Sequence, residues 1–157
     1  MILNEITYKE IRKGVDAKTR ERTKPLKSIL RGYKNGHLIF QTRSGTTPGK
    51  WWTQKVRLLD LPEIMKKKGL SHYDMVKLAL QGDLKVTCNC PAHLYWGSAW
   101  RLEKLGAEEE LKNVEEPRHN TVINTLACKH LDTVLFALPF NARKITKVLE
   151  KAGVFDK

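Results

Sequence analysis

Cys88, Cys90, Cys128 and His130 are the residues of this chain whose types and spacing could do chemistry. Cys88-Asn89-Cys90-Pro91 supplies a C-x-C pair and Cys128-Lys129-His130 a C-x-H pair, and between them they use every cysteine in the sequence. Three thiolates and one imidazole fill the four tetrahedral positions that zinc favours. No position is left for water or substrate, which is the pattern of a structural rather than a catalytic site. One zinc per chain is the expectation. The odd number of cysteines argues against a secreted disulfide framework, and in a reducing compartment grouped cysteines beside a histidine point to metal ligation. The plain alternative is that the three cysteines are small buried apolar residues. Two separate pairs, one ending an expected strand and one opening an expected helix, favour the metal.

His93, three residues beyond Cys90, is either an alternative ligand or a helix-start histidine that supports the site from beside it. His37, His72 and His119 have no partner at ligand spacing and read as surface residues. Glu108, Glu109 and Glu110, with Glu115 and Glu116, could hold a hard cation such as magnesium, but they fall in an acidic, polar stretch over 107–120 that reads as a solvated excursion.

The elements that must position these ligands are legible in outline. His37 to Arg43 and Trp51 to Leu59 are rich in β-branched and aromatic residues around a Gly/Pro loop, which predicts a β-hairpin after the Asn35-Gly36 turn. Ser71 caps an expected helix that ends at Gly82. A strand over 84–88 then places Leu84, Val86 and Cys88 on one face and so leads its buried side into the first thiol. Pro91 sits where a helix could start, with an apolar face of Leu94, Tyr95, Ala99, Leu102 and Leu105 ending at Gly106, and 122–126 reads as a short strand. Cys128 or Lys129 opens a helix carrying His130, Leu131, Val134, Leu135 and Leu138 to Pro139, and its positive N-terminal end would stabilise a thiolate. A last helix is capped by Asn141 and stops at Gly153. The resulting fold class is α+β: a small antiparallel β-sheet with packed helices around one structural zinc site.

C-x-C, a variable stretch, and C-x-H entering a helix resembles the SWIM-type zinc finger, over Cys88 to His130 and a few residues on each side. The resemblance implies that Cys88, Cys90, Cys128 and His130 are the four ligands. The 37 residues between the pairs, 91–127, exceed the usual spacer, which a metal site tolerates because loop-closure cost grows only logarithmically. Cys88-x-Cys90-Pro91, Tyr95-Trp96-Gly97 and Cys128-Lys129-His130-Leu131 are also similar to a group of tailed-phage proteins that carry this finger. That likeness implies a phage-encoded protein, a virion component among the options, without implying an activity.

Net charge is +12, and it is placed unevenly. Residues 1–70 hold 17 Lys and Arg against 6 Asp and Glu, whereas 71–157 hold 12 against 11. The densest run is Lys9, Arg12, Lys13, Lys18, Arg20, Arg22, Lys24, Lys27, Arg31 and Lys34, which suits a polyanion. A short helix capped by Asn4 or Thr7 is expected through Lys13, and the polar stretch that follows carries no periodicity. Residues 1–34 are therefore read as a basic arm, partly helical and mobile from Gly14 to Lys24, and 35–157 as the zinc-binding domain.

The expected function is a non-catalytic zinc module of phage origin that binds nucleic acid, DNA favoured over RNA, or an acidic protein surface through its basic first half. Cations would track phosphates while Tyr33, Phe40, Trp51 or Trp52 stacks on a base, although tryptophans in a hairpin are commonly core residues. The alternative is a virion structural or assembly component, of the capsid or head-tail region, whose zinc is purely structural and whose partners include other virion proteins. No P-loop, G-x-G-x-x-G, H-E-x-x-H or G-x-S-x-G motif occurs, and no enzyme is expected. No apolar run approaches the roughly 20 residues of a membrane helix, nor does Met1 to Glu5 open a signal peptide. An intracellular location is expected, the host cytoplasm or the virion if phage-encoded.

Overall fold

The computed structural model describes residues 6–44, 47–91, 93, 98–105, 107–109 and 126–156. It is an α+β fold in which helices pack against an antiparallel sheet, as the pattern of apolar residues predicts. The strands are β1 (Ile6–Thr7), β2 (Ser28–Lys34), β3 (His37–Arg43), β4 (Trp51–Leu58) and β5 (Asp83–Cys88), in the order β1-β5-β4-β3-β2. The helices are α1 (Tyr8–Lys13), α2 (Ala17–Thr23), α3 (Leu61–Ile64), α4 (His72–Gln81), α5 (Ser98–Lys104), α6 (Lys129–Ala137) and α7 (Ala142–Lys151).

Asn35 and Gly36 both adopt positive φ, at 52° and 84°, so a two-residue turn of matching twist joins β2 to β3 and pairs Lys34 with His37. β4 then pairs back on β3 with Leu38 opposite Val56 and Arg43 opposite Trp51, forming the predicted hairpin. Along β3 and β4 burial alternates: Leu38, Phe40 and Thr42, with Gln54, Val56 and Leu58, are buried, and the other strand residues, His37 apart, are half-buried or exposed. The buried face meets α6, which contributes Leu131, Val134 and Leu135, and Leu138 follows in a 3₁₀ turn (Leu138–Asn141). Ser71 caps α4 as expected, its hydroxyl accepting the Asp74 N–H at 3.1 Å. Asn141 precedes α7 but does not cap it; its side-chain amide donates instead to the Ala137 carbonyl at 3.0 Å.

The segment expected as a mobile basic arm is folded. Thr7 and Glu10 form a reciprocal capping box on α1, and the Asp16 carboxylate accepts the Thr19 N–H at 2.8 Å to start α2. Both helices rest on α6, with Ile11 and Val15 buried and the Arg12 guanidinium paired with Asp132. Helices of six and seven residues are unstable alone, and these are held by contacts more than a hundred residues away, which no local periodicity reveals. The domain boundary expected after Lys34 falls inside the β2–β3 turn, between neighbouring strands of one sheet. The expected strand over 122–126, apart from Leu126, and the helix face at Leu94 and Tyr95, together with His119, Glu110, Glu115 and Glu116, lie outside the described residues.

Gly14 marks how closely this N-terminal layer seats. Its carbonyl accepts the Leu126 N–H at 3.0 Å, and a Cβ at this position would land on the Leu126 side chain. Its φ of −85° suits any residue, so Gly14→Ala carries no backbone strain and would gain about 0.4–1 kcal/mol from a stiffer unfolded chain. Overpacking costs about 1–3 kcal/mol and decides the sign. A lower denaturation midpoint is expected for Gly14→Ala; an unchanged or raised midpoint would mean that Leu126 does not press here.

Candidate metal centre

Cys88 ends β5 opposite Gln54, on the same face as Leu84 and Val86, and points toward the core as its strand position requires. Cys90 follows beyond the strand. The turn between the two is fixed by Asn89, whose side-chain oxygen accepts the Thr53 N–H at 2.9 Å while its own N–H donates to the Thr53 carbonyl at 3.2 Å. Cys128 is the N-cap of α6, and His130 lies in that helix's first turn. The three sulfurs and the imidazole thus come from a strand end and a helix start, and their ligand atoms all lie within 4.8 Å of one another. Ligands around a tetrahedral zinc stand about 3.8 Å apart. The Cys₃His group could hold one metal ion.

Its chemistry fits such an ion. All four residues are buried, and the cysteines are free thiols. Neither His130 ring nitrogen has a hydrogen-bond partner among the described residues, an unfavourable state for a buried imidazole that ligation would relieve. Each sulfur accepts one N–H at 3.4 Å: Cys88 from the Gln54 amide, Cys90 from the His93 backbone, Cys128 from the Leu131 backbone at the helix start. Burial pushes the Cys88 and Cys128 thiols up, whereas hydrogen bonds from Cys128 and then Cys88 pull the Cys90 thiol down. Without a cation, burial and mutual repulsion oppose ionisation of all three thiols at once. A divalent cation is what lets all three sulfurs ionise together.

His93 lies beside this group rather than within it. Its backbone N–H supports Cys90, and its buried ring places Nε2 at 2.5 Å from Glu108 Oε1. The expectation that the 107–120 stretch is solvated is corrected at its start. Ala107 and Glu109 exchange backbone hydrogen bonds with Val86, which draws Glu108 inside. Glu109 bonds Arg57 at 2.8 Å and stands 3.4 Å from His37, so His37 is buried in this cluster rather than a surface residue. His72 is half-exposed as expected, stacked on Phe155 and 2.7 Å from Glu150.

Sequence reasoning missed Gln54 and Asn89. Gln54 is buried with its oxygen accepting the Thr42 hydroxyl at 2.7 Å, which aims its amide at Cys88. The signal was available: with Trp52, Val56 and Leu58 at strand spacing, Gln54 is the polar member of an apolar face. Asn89 gave none, since an asparagine between two cysteines reads as any turn residue.

Of the ten cations expected to meet a polyanion, Lys9, Lys13, Lys18, Arg20, Arg22, Lys24, Lys27, Arg31 and Lys34 are exposed. Arg12 is committed to Asp132 and lies over the Phe136 ring. The structure therefore distributes the run over α1, α2, the following turn and β2 instead of along one arm. No protein-family model, curated protein or solved structure matches the chain. The SWIM-type resemblance accordingly rests on the residue types and spacing alone. Among the described residues, no helix is long and apolar enough to cross a membrane.

Proposed function

We propose that the protein is a non-catalytic zinc module of the SWIM type that binds nucleic acid. The observation that carries the metal half is the convergence of Cys88, Cys90, Cys128 and His130, buried and within 4.8 Å, with both imidazole nitrogens of His130 otherwise unpartnered among the described residues. Three sulfurs and one nitrogen form a donor set that selects a borderline-soft ion, and a closed set of four gives that ion a structural role. The nucleic-acid half is supported by the exposed cations of the first half. Glu10 and Asp16, two of the few acids near them, are occupied in helix caps.

Salt is the test. On a single strand, each phosphate neutralised contributes roughly 0.7 to the slope of log affinity against log salt, so three contacts give roughly a twentyfold loss between 50 and 200 mM. The full chain with its metal should bind an oligonucleotide at low salt and show a loss of that order. Failure to bind at 50 mM salt would defeat the nucleic-acid reading and leave the metal reading standing.

A second reading, an assembly component, draws on one feature. Phe136 and Phe140 are 52% and 78% exposed and touch ring to ring at 5.7 Å, an apolar pair of the kind a protein neighbour covers. Copurification with particles in fixed copy number would favour it over a nucleic-acid binder.

A further inference from the structure

β2, β3 and β4 carry Arg31, Lys34, Arg43, Lys55 and Arg57 and not one Asp or Glu. Their buried face is given to the core under α6, so most of this charge falls on the opposite face by alternation, where Arg57 is paired with Glu109 at 2.8 Å. Register gathers the polar residues there: Gln41 stands opposite Thr53 and Arg43 opposite Trp51. Trp51, the first residue of β4 and so at one end of this face, is half-buried, with the Arg43 guanidinium 5.1 Å and the Arg31 guanidinium 5.3 Å from its ring centroid. Arg31 is held there, its Nε donating to the Gln41 side-chain oxygen at 3.0 Å. The irregular register between Leu30 and Gly32 sets Arg31 on this side of the edge strand.

We infer that this face of β2, β3 and β4 is a binding platform for single-stranded nucleic acid, anchored at the end that carries Trp51, Arg31 and Arg43. The inference rests on the nucleic-acid reading above and names where and in what form the ligand is met. Bases stack on indole rings and on guanidinium planes, and guanidinium N–H groups left at the edge reach phosphates. A single strand can lay its bases on a sheet face; a duplex keeps them inside and offers the face only phosphates. Strands of seven or eight residues give a platform about 25 Å long, room for roughly three or four nucleotides. The strands themselves carry no carboxylate, and Glu109 neutralises Arg57 at the end away from Trp51, so a polyanion would be met at the Arg31 and Arg43 end, where the aromatic ring favours a ligand with bases over an acidic peptide.

The test uses the full, metal-loaded chain and an eight-nucleotide oligothymidylate, with variants matched for melting temperature and metal content. The double variant Arg31→Gln, Arg43→Gln should weaken binding at least tenfold. Lys147→Gln, Lys151→Gln, which removes the same charge from α7, should change it less than threefold. Trp51→Phe should bind within a few-fold of wild type but lose the quenching of tryptophan emission on oligonucleotide binding; this readout serves if the arginine variant does not fold. Undiminished binding by the arginine variant, with loss in Lys18→Gln, Arg22→Gln, would move the contacts to α2 and overturn the platform while nucleic-acid binding stands. Duplex bound more tightly than single strand, or polyglutamate competing as well as oligothymidylate, would overturn the ligand class. No binding of any nucleic acid at 50 mM salt would defeat this inference together with the function it rests on.

Discussion

Cys128→Ser is expected to lose the metal and to lower the thermal midpoint by about 8–16 °C, taking a loss of about 4 kcal/mol in a domain of this size. The substitution separates two roles that the residue combines. As N-cap of α6, Cys128 accepts the Leu131 N–H, and serine does that at least as well. What serine cannot replace is the third thiolate. Binding free energy at such a site is folding free energy, about 10–16 kcal/mol for structural zinc in small peptides, so losing even part of it matters against a total stability of about 5–15 kcal/mol. Wild type should hold one metal per chain and lose the same stability to a chelator, to which Cys128→Ser should be indifferent. Retained metal with unchanged melting would remove the centre from the fold's support. The pH dependence has a definite sign. Burial holds the Cys88 and Cys128 thiols above their ordinary range, so metal uptake must displace their protons. Affinity therefore falls as pH drops, and stability with it.

The second large effect is expected at Arg12. Its Nε lies 2.8 Å from Asp132 Oδ1, and a second guanidinium nitrogen lies 3.4 Å from Oδ2. The Asp132 side chain is fully buried whereas Arg12 is 27% exposed, so the carboxylate depends on the arginine far more than the reverse. Arg12→Met should cost about 3–5 kcal/mol by leaving an uncompensated buried charge, and Arg12→Lys should recover only part of it, because the two-nitrogen geometry is lost. Arg12→Met with Asp132→Leu should recover most, since a well-packed apolar pair replaces a buried ion pair at little cost. Lys24 and Glu21 provide the contrast: both are 71% exposed, and Lys24→Ala should cost under about 1 kcal/mol. Chemical denaturation measures all four, and trypsin should cut at Lys18 and Arg22 faster in Arg12→Met than in wild type. Equal costs for Arg12→Met and Lys24→Ala would mean that Asp132 finds another partner.

What could be read from the sequence was what local pattern controls. The β3–β4 hairpin, α4 from its serine cap and the α6 start at Cys128 follow from alternation, capping and turn chemistry, each set by residues a few positions apart. The Cys₃His group was legible because ligand types are rare and their pairing is short-range. The N-terminal layer was not, because Ile11 and Val15 are too few to mark an amphipathic helix among so many charges, and their reason for burial is α6. Likewise Glu108 and Glu109 read as solvated because nothing nearby in sequence shows that Val86, His93 and Arg57 will meet them. Misreading both followed from one cause: a charged residue's neighbours in space cannot be inferred from its neighbours in the chain.

The seating of α1 and α2 on α6 also sets a timing. Arg12 and Asp132 are 120 residues apart. At synthesis rates of about 5–20 residues per second, α6 trails the first two helices by about 6–24 s. Throughout that interval Ile11 and Val15 lack the helix that covers them, and the buried pair lacks its acid. The N-terminal layer is therefore sealed late, by the same helix that carries Cys128 and His130, so metal capture and N-terminal docking become possible at nearly the same moment in the chain's emergence.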